Sequence, residues 1–220
     1  MKKKNTFTEN LGLNFHPVVF GLSILIILGF ITFTLLNLHQ MGEIFNDIQS
    51  TIAHKAGWFY ILSVNIFLGF LIYLIFSRYG KIRIGGAGVK PEFTYLSWFS
   101  MLFSAGMGIG LVFYSVAEPI FHYISPPFGT GYSIDSAKLA MQFTFFHWGF
   151  HAWGIYAVVA LALAFFSYNR GLPLTIRSVF YPLLGEKIYS HIGNIIDITA
   201  TVATLFGLTT SLGLGVKQIN

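Results

Sequence analysis

Polar and apolar positions alternate along this chain on the scale of whole helices. Charged residues come in clusters, and long apolar runs fill the gaps between them. Glu9 and Glu43 bound the first gap, Lys55 and Arg78 the second, and Glu92 and Glu118 the third. Lys138 and Arg170 bound the fourth, and Asp197 and Lys217 the fifth. A helix needs about 20 apolar residues to cross a bilayer. The gaps therefore predict an all-α integral membrane protein with five transmembrane helices, at residues 17–37, 57–77, 94–117, 139–167 and 197–216. Trp58 and Trp98 open the second and third, where indoles anchor at the interface. Residues 139–169 are charge-free for longer than a span needs, which predicts a long or tilted helix. Ser133 is its expected cap, with Asp135 in the first turn.

The connections differ in kind. Residues 80–91 hold four glycines and read as a loop. Residues 125–132, with Pro126 and Pro127, read as a second loop on the opposite side. Residues 174–184 mix Arg177 with Val179, Phe180 and Tyr181, which predicts a short helix lying on the membrane interface.

Composition agrees with this picture. Of 220 residues, 55% are hydrophobic and 10% charged, against about 25% charged in a soluble domain. Without cysteine there is no disulfide, thiol nucleophile or thiolate metal site. Met1-Lys2-Lys3-Lys4 begins like a signal peptide, but the apolar run that follows is too long and reads as a retained first span. The net charge of +5 could suggest nucleic acid. Topology explains it better. With the N-terminus in the cytoplasm, ten of the thirteen Lys and Arg residues fall on the inner side. No nucleic-acid partner is needed; the expected surroundings are the lipid bilayer of the plasma (inner) membrane.

The third span carries Ser104-Ala105-Gly106-Met107-Gly108-Ile109-Gly110. Each glycine costs a helix about 1 kcal/mol relative to Ala, and loosened backbone in lipid has no water to satisfy it. One reading is a broken helix whose freed amides and carbonyls line a ligand or ion site. The other is a small-residue groove for a neighbouring helix. In the fourth span, spacing by four places Trp148, Ala152 and Tyr156 on one face, with Trp153 about 60° round from Tyr156. Rings around a gap can hold a quaternary ammonium by cation–π attraction, though packing is the commoner role of aromatic residues. His147 and His151 have the spacing of a metal pair, but no carboxylate or thiol in the span completes it. They read as neutral histidines hydrogen-bonded inside the bundle. Glu118 and Asp197 sit at span ends and read as solvated or capping acids. Thr199, Thr201, Thr204, Thr209, Thr210 and Ser211 offer hydroxyls suited to a hard monovalent cation, although such groups often bond back to their own helix. No nucleophile–base pair, Walker loop or His-Glu-x-x-His occurs, so enzyme chemistry has no candidate residues.

Three stretches carry a family resemblance. They are Gly106-Met107-Gly108-Ile109-Gly110 running to Ala117-Glu118-Pro119, His147-Trp148 with Trp153 and Tyr156, and Ala203-Thr204-Leu205-Phe206-Gly207 followed by Ser211. Together they closely resemble the betaine/carnitine/choline transporter family. The resemblance implies the N-terminal part of a twelve-helix, inverted-repeat (LeuT-like) secondary transporter. It implies Trp148, Trp153 and Tyr156 as half of an aromatic box for a trimethylammonium head. It also implies substrate contacts at Met107, Gly106, Gly108 and Gly110. Ser104, Met107 and Thr204 would belong to a sodium site, and Ser211 matches a further polar position. No cofactor is implied; sodium is the coupling ion, and a homotrimer is the family assembly.

Two departures bear on this. Sodium-coupled members similar here place a second hydroxyl where this chain has Leu208. The chain also stops after five spans, without the later Trp-rich helix. Choline-type members carry an acid in the glycine run; Gly108-Ile109-Gly110 has none. A zwitterion needs no buried counter-charge, so a betaine-like solute is expected, taken up for osmoprotection. The rival expectation is a truncated remnant or scaffold that needs a partner chain.

Overall fold

The computed structural model describes residues 15–106 and 108–219. The described residues form helices joined by turns and loops, with no strand among them. Helix α1 is Pro17–Leu36. Its N-cap His16 accepts from the Val19 N–H through Nδ1 at 3.4 Å, and Pro17, with no N–H to lose, opens the first turn. Helix α2 is Leu38–Phe76. Its 39 residues are nearly twice what a crossing requires, and Trp58 lies in mid-helix, at the start of its apolar half. Glu43, Asp47 and Lys55 are confined to its first half, so the apolar half that follows is the crossing segment.

Helix α3 is Tyr95–Gly106 and α4 is Ile109–Ile124. The glycine run interrupts the helix: Gly108 caps α4 with extended backbone (φ −67°, ψ 169°). Helix α4 runs on through Glu118 and Pro119 to Ile124, past the span end that the charge gap predicts. Helix α5 is Ile134–Phe146, with the cap expected at Ser133 in place. Ser133 Oγ accepts from the Ser136 N–H at 3.0 Å, and Ser136 Oγ accepts from the Ser133 N–H at 2.9 Å. A π-helical turn, His147–His151, leads into α6, Ala152–Ala164, and a second, Phe165–Asn169, ends the run. Short helices α7 (Ile176–Val179) and α8 (Tyr181–Leu184) precede α9, His191–Ile219.

The helices gather into two compact units. One holds the described residues up to Gly57 together with Leu172–Phe206. In it Phe30 contacts Phe45 and Phe206, with centroids 5.9 and 4.8 Å apart. Arg177, in short helix α7, is buried within the protein. Its Nε donates to Asp197 Oδ2 at 2.5 Å and its backbone N–H to Oδ1 at 3.0 Å. Its other nitrogens reach the Ile188 carbonyl and Asn194 Oδ1, each at 3.2 Å. Asp197 is therefore a buried ion-pair partner, not a solvated acid. Nearby, Tyr181 donates to Glu186 at 3.1 Å, and that bond with the carboxylate's charge raises the phenol pKa.

The other unit holds Trp58–Gly171 and the described residues from Gly207. There α4 packs along α5, and Gly154 brings α6 close to Leu68 and Leu71 of α2. Asn169 ties the loop after α2, accepting from the Gly85 N–H at 3.0 Å and donating to the Arg83 carbonyl at 2.9 Å.

Glycine apart, the buried positions are mainly polar: Ser23, Glu118, Ser136, Arg177, Ser178 and Asp197, against Met41, Ala140 and Ile188. A soluble domain shows the reverse. Lipid tails solvate Leu, Ile and Phe as well as a core does, whereas polar groups must find partners inside the protein. In the four long apolar helices no more than 6% of the hydrophobic window is buried. The molecule is an all-α, multi-pass membrane protein.

Candidate functional site

A polar cluster lies where α4 faces the start of the first π-helical turn. Tyr114, Glu118 and His122 follow each other at intervals of four, so they share one face of α4. Glu118 is buried. Its Oε1 accepts from His147 Nδ1 at 2.8 Å, and its Oε2 lies 3.0 Å from the same nitrogen. Oε2 also accepts from Trp148 Nε1 at 2.6 Å. His122 Nε2 stands 3.6 Å from Oε1, beyond a hydrogen bond but within Coulombic reach. The Tyr114 ring packs on Trp148 at 6.1 Å between centroids.

The carboxylate that the fourth span lacks is thus supplied by the preceding helix. Glu118 is no solvated span-end acid: it is buried, and the helix continues past it. His147 is hydrogen-bonded as expected, but His151 instead rests on the Phe146 ring at 4.4 Å.

The backbone explains how the aromatic residues divide. Gly149 has φ −85° and ψ −145°, outside the helical region, and the helix kinks there. The face that spacing by four predicts from Trp148 to Tyr156 does not run straight through this point. Trp148 lies before the kink, with Tyr114 and His147 as ring neighbours. Trp153 and Tyr156 lie after it in uninterrupted helix, and their rings pair at 5.7 Å. Among the described residues, no ring contact joins Trp148 to that pair. Both Trp153 and Tyr156 are exposed.

The remaining candidates are distributed more widely. Gly106 ends α3, Gly108 caps α4 and Gly110 lies in its first turn, so these three flank the helix break. Met107 lies outside the described residues. Ser104 is in the last turn of α3. Thr204 belongs to the other unit, where its hydroxyl donates to the Ala200 carbonyl at 2.8 Å. That bond uses its proton and leaves oxygen lone pairs able to bind a cation.

A broken apolar helix beside a kinked aromatic one is an arrangement found at solute sites in membrane transporters. Comparison with known proteins is specific. The family model for the betaine/carnitine/choline family transporters matches residues 18–220. The chain is 48% identical over 207 residues to a glycine betaine transporter of Acinetobacter baylyi, covering 94% of this chain and 31% of that protein. It is 51% identical over 182 residues to the glycine betaine transporter OpuD of Bacillus subtilis, covering 82% of this chain and 36% of the relative. An osmo-dependent choline transporter of A. baylyi is 44% identical over 205 residues, covering 93% of this chain and 30% of that protein. The chain belongs to the betaine/carnitine/choline transporter family, a family of transporters rather than enzymes, and spans about a third of the length of these relatives.

Proposed function

We propose that the protein takes part in secondary active uptake of glycine betaine or a related trimethylammonium zwitterion, coupled to sodium. It would act in the plasma membrane with its N-terminus in the cytoplasm, for osmoprotection. The observation that carries this reading is the pair of aromatic clusters flanking the Gly149 kink, Tyr114 with Trp148 and Trp153 with Tyr156. Ring faces attract a quaternary ammonium by about 2 kcal/mol or more once water is excluded. The absence of an acid from Gly108-Ile109-Gly110 favours a solute that carries its own carboxylate. The names of the relatives support the same solute class, although one of them is a choline transporter. Ser104, Met107 and Thr204 are the positions that the family resemblance assigns to sodium.

The test is uptake of labelled glycine betaine by the natural gene product, expressed in cells that lack other betaine carriers. Uptake should require sodium, and Trp148→Ala should weaken it by more than tenfold, about the 1.4 kcal/mol that each decade represents. Unchanged affinity in Trp148→Ala would remove Trp148 from the solute site. Uptake that persists without sodium would remove the coupling ion.

A further inference from the structure

Glu118 stands apart from the solute-binding residues, yet it holds one of them. We infer that Glu118 is a positioning residue that fixes the orientation of the Trp148 indole and so sets solute affinity. This rests on the reading of Trp148 as a solute-binding ring.

The indole has one polar atom, the Nε1–H donor. At membrane depth that donor needs a partner, and here it donates to Glu118 Oε2 at 2.6 Å. A hydrogen bond to an ionised acceptor is about twice as strong as a neutral one. Cation–π attraction acts at the ring face and not at the edge, so whatever sets the ring plane also sets the attraction. The plane is held at two points by one face of α4: Glu118 takes the N–H, and Tyr114, one turn earlier, packs on the ring at 6.1 Å. The carboxylate is itself held, by His147 Nδ1 at 2.8 Å and by its own burial. His122 adds a second imidazole at 3.6 Å. Tyr114, His122, His147 and Glu118 itself are the titratable groups gathered at this point. A buried carboxylate inside a membrane segment is costly without a role, and the role that the geometry assigns is to hold this ring.

The experiment compares KM and Vmax for betaine uptake in Glu118→Ala, Glu118→Gln, Trp148→Phe and the double variant Glu118→Ala/Trp148→Phe. Surface biotinylation controls for the amount of protein in the membrane. Phenylalanine keeps an aromatic face without the donor, and glutamine keeps an acceptor oxygen at the same reach. Glu118→Ala and Trp148→Phe should each raise KM about tenfold with Vmax little changed, as loss of one charge-assisted hydrogen bond implies. Glu118→Gln should stay within about threefold of the unsubstituted protein, since a neutral hydrogen bond replaces the charged one. The double variant should lose no more than either single one, because both remove the same bond. Fully additive losses would overturn the inference, and so would an unchanged KM in Trp148→Phe, which decides even if Glu118→Ala fails to reach the membrane. The two ideas separate cleanly. Normal uptake by Trp148→Ala defeats the solute-site reading, whereas impaired Trp148→Ala with normal Trp148→Phe defeats only the positioning role.

Discussion

Asp197 accepts two hydrogen bonds from Arg177, one from the backbone N–H and one from Nε, in a place from which solvent is nearly excluded. Removing one member of such a pair leaves the other charged and buried, at a cost of about 3–5 kcal/mol, whereas replacing both with apolar groups is often neutral. Arg177→Met alone and Asp197→Leu alone should therefore lower the thermal stability of the purified protein sharply. The double variant should recover most of the loss. Melting curves in detergent check this, and an additive double variant would contradict it. Both Asp197 and Glu118 were hard to read from sequence for the same reason. Charged residues mark the edges of apolar gaps, so an acid used as a boundary is placed at or beyond the end of the helix that contains it. The signal for Glu118 was nevertheless present. Tyr114, Glu118 and His122 recur every fourth position between apolar neighbours, with Pro119 failing to end the helix. For Asp197 the matching sign was a lone arginine among Val179, Phe180 and Tyr181.

Helices were legible where apolar runs were long, and their interruptions were legible only in part. The three alternating glycines made a break between α3 and α4 one of two readings, beside a small-residue packing groove, and the structure has the break. The kink at Gly149 had no comparable sign: a single glycine among aromatic residues fits an unbroken helix equally well. This is why the predicted single aromatic face became two clusters. Close approach gives glycine a different role at the start of α9. A Cβ built on Gly193 would stand 1.7 Å from the Ile188 carbonyl oxygen and 2.5 Å from its carbon, both backbone atoms. The turn that delivers Ile188 to Arg177 would have to open, since that same carbonyl accepts from the arginine at 3.2 Å. Gly193→Ala should cost about 1–3 kcal/mol, as forced overpacking does. Gly57→Ala, with nothing within 4 Å of its added carbon, should be neutral or slightly stabilising, because alanine favours helix. Size-exclusion profiles after mild heating would separate the two, and equal profiles would show that the turn gives way freely.

At the scale of the whole molecule, few described apolar residues are hidden, and the polar pairs tie each unit together internally. That pattern follows from a solvent of lipid tails, in which apolar contact between helices adds little and unpaired polar groups cost much. Orientation is then decided by charge outside the spans. Ten of thirteen basic residues favour an inner location for the N-terminus and for residues 80–91, and an outer one for residues 125–132. The 220 residues contain no cysteine, so a single introduced thiol reports its own side of the membrane without background from this region. Thr130→Cys in intact cells should react with a membrane-impermeant maleimide. Gly88→Cys should react only after the membrane is opened. The reverse pattern would invert the topology, and with it the side from which solute reaches the kinked helix. Reaction of both in intact cells would mean that the loop after α2 is open to the outside, and the charge asymmetry would then need another cause.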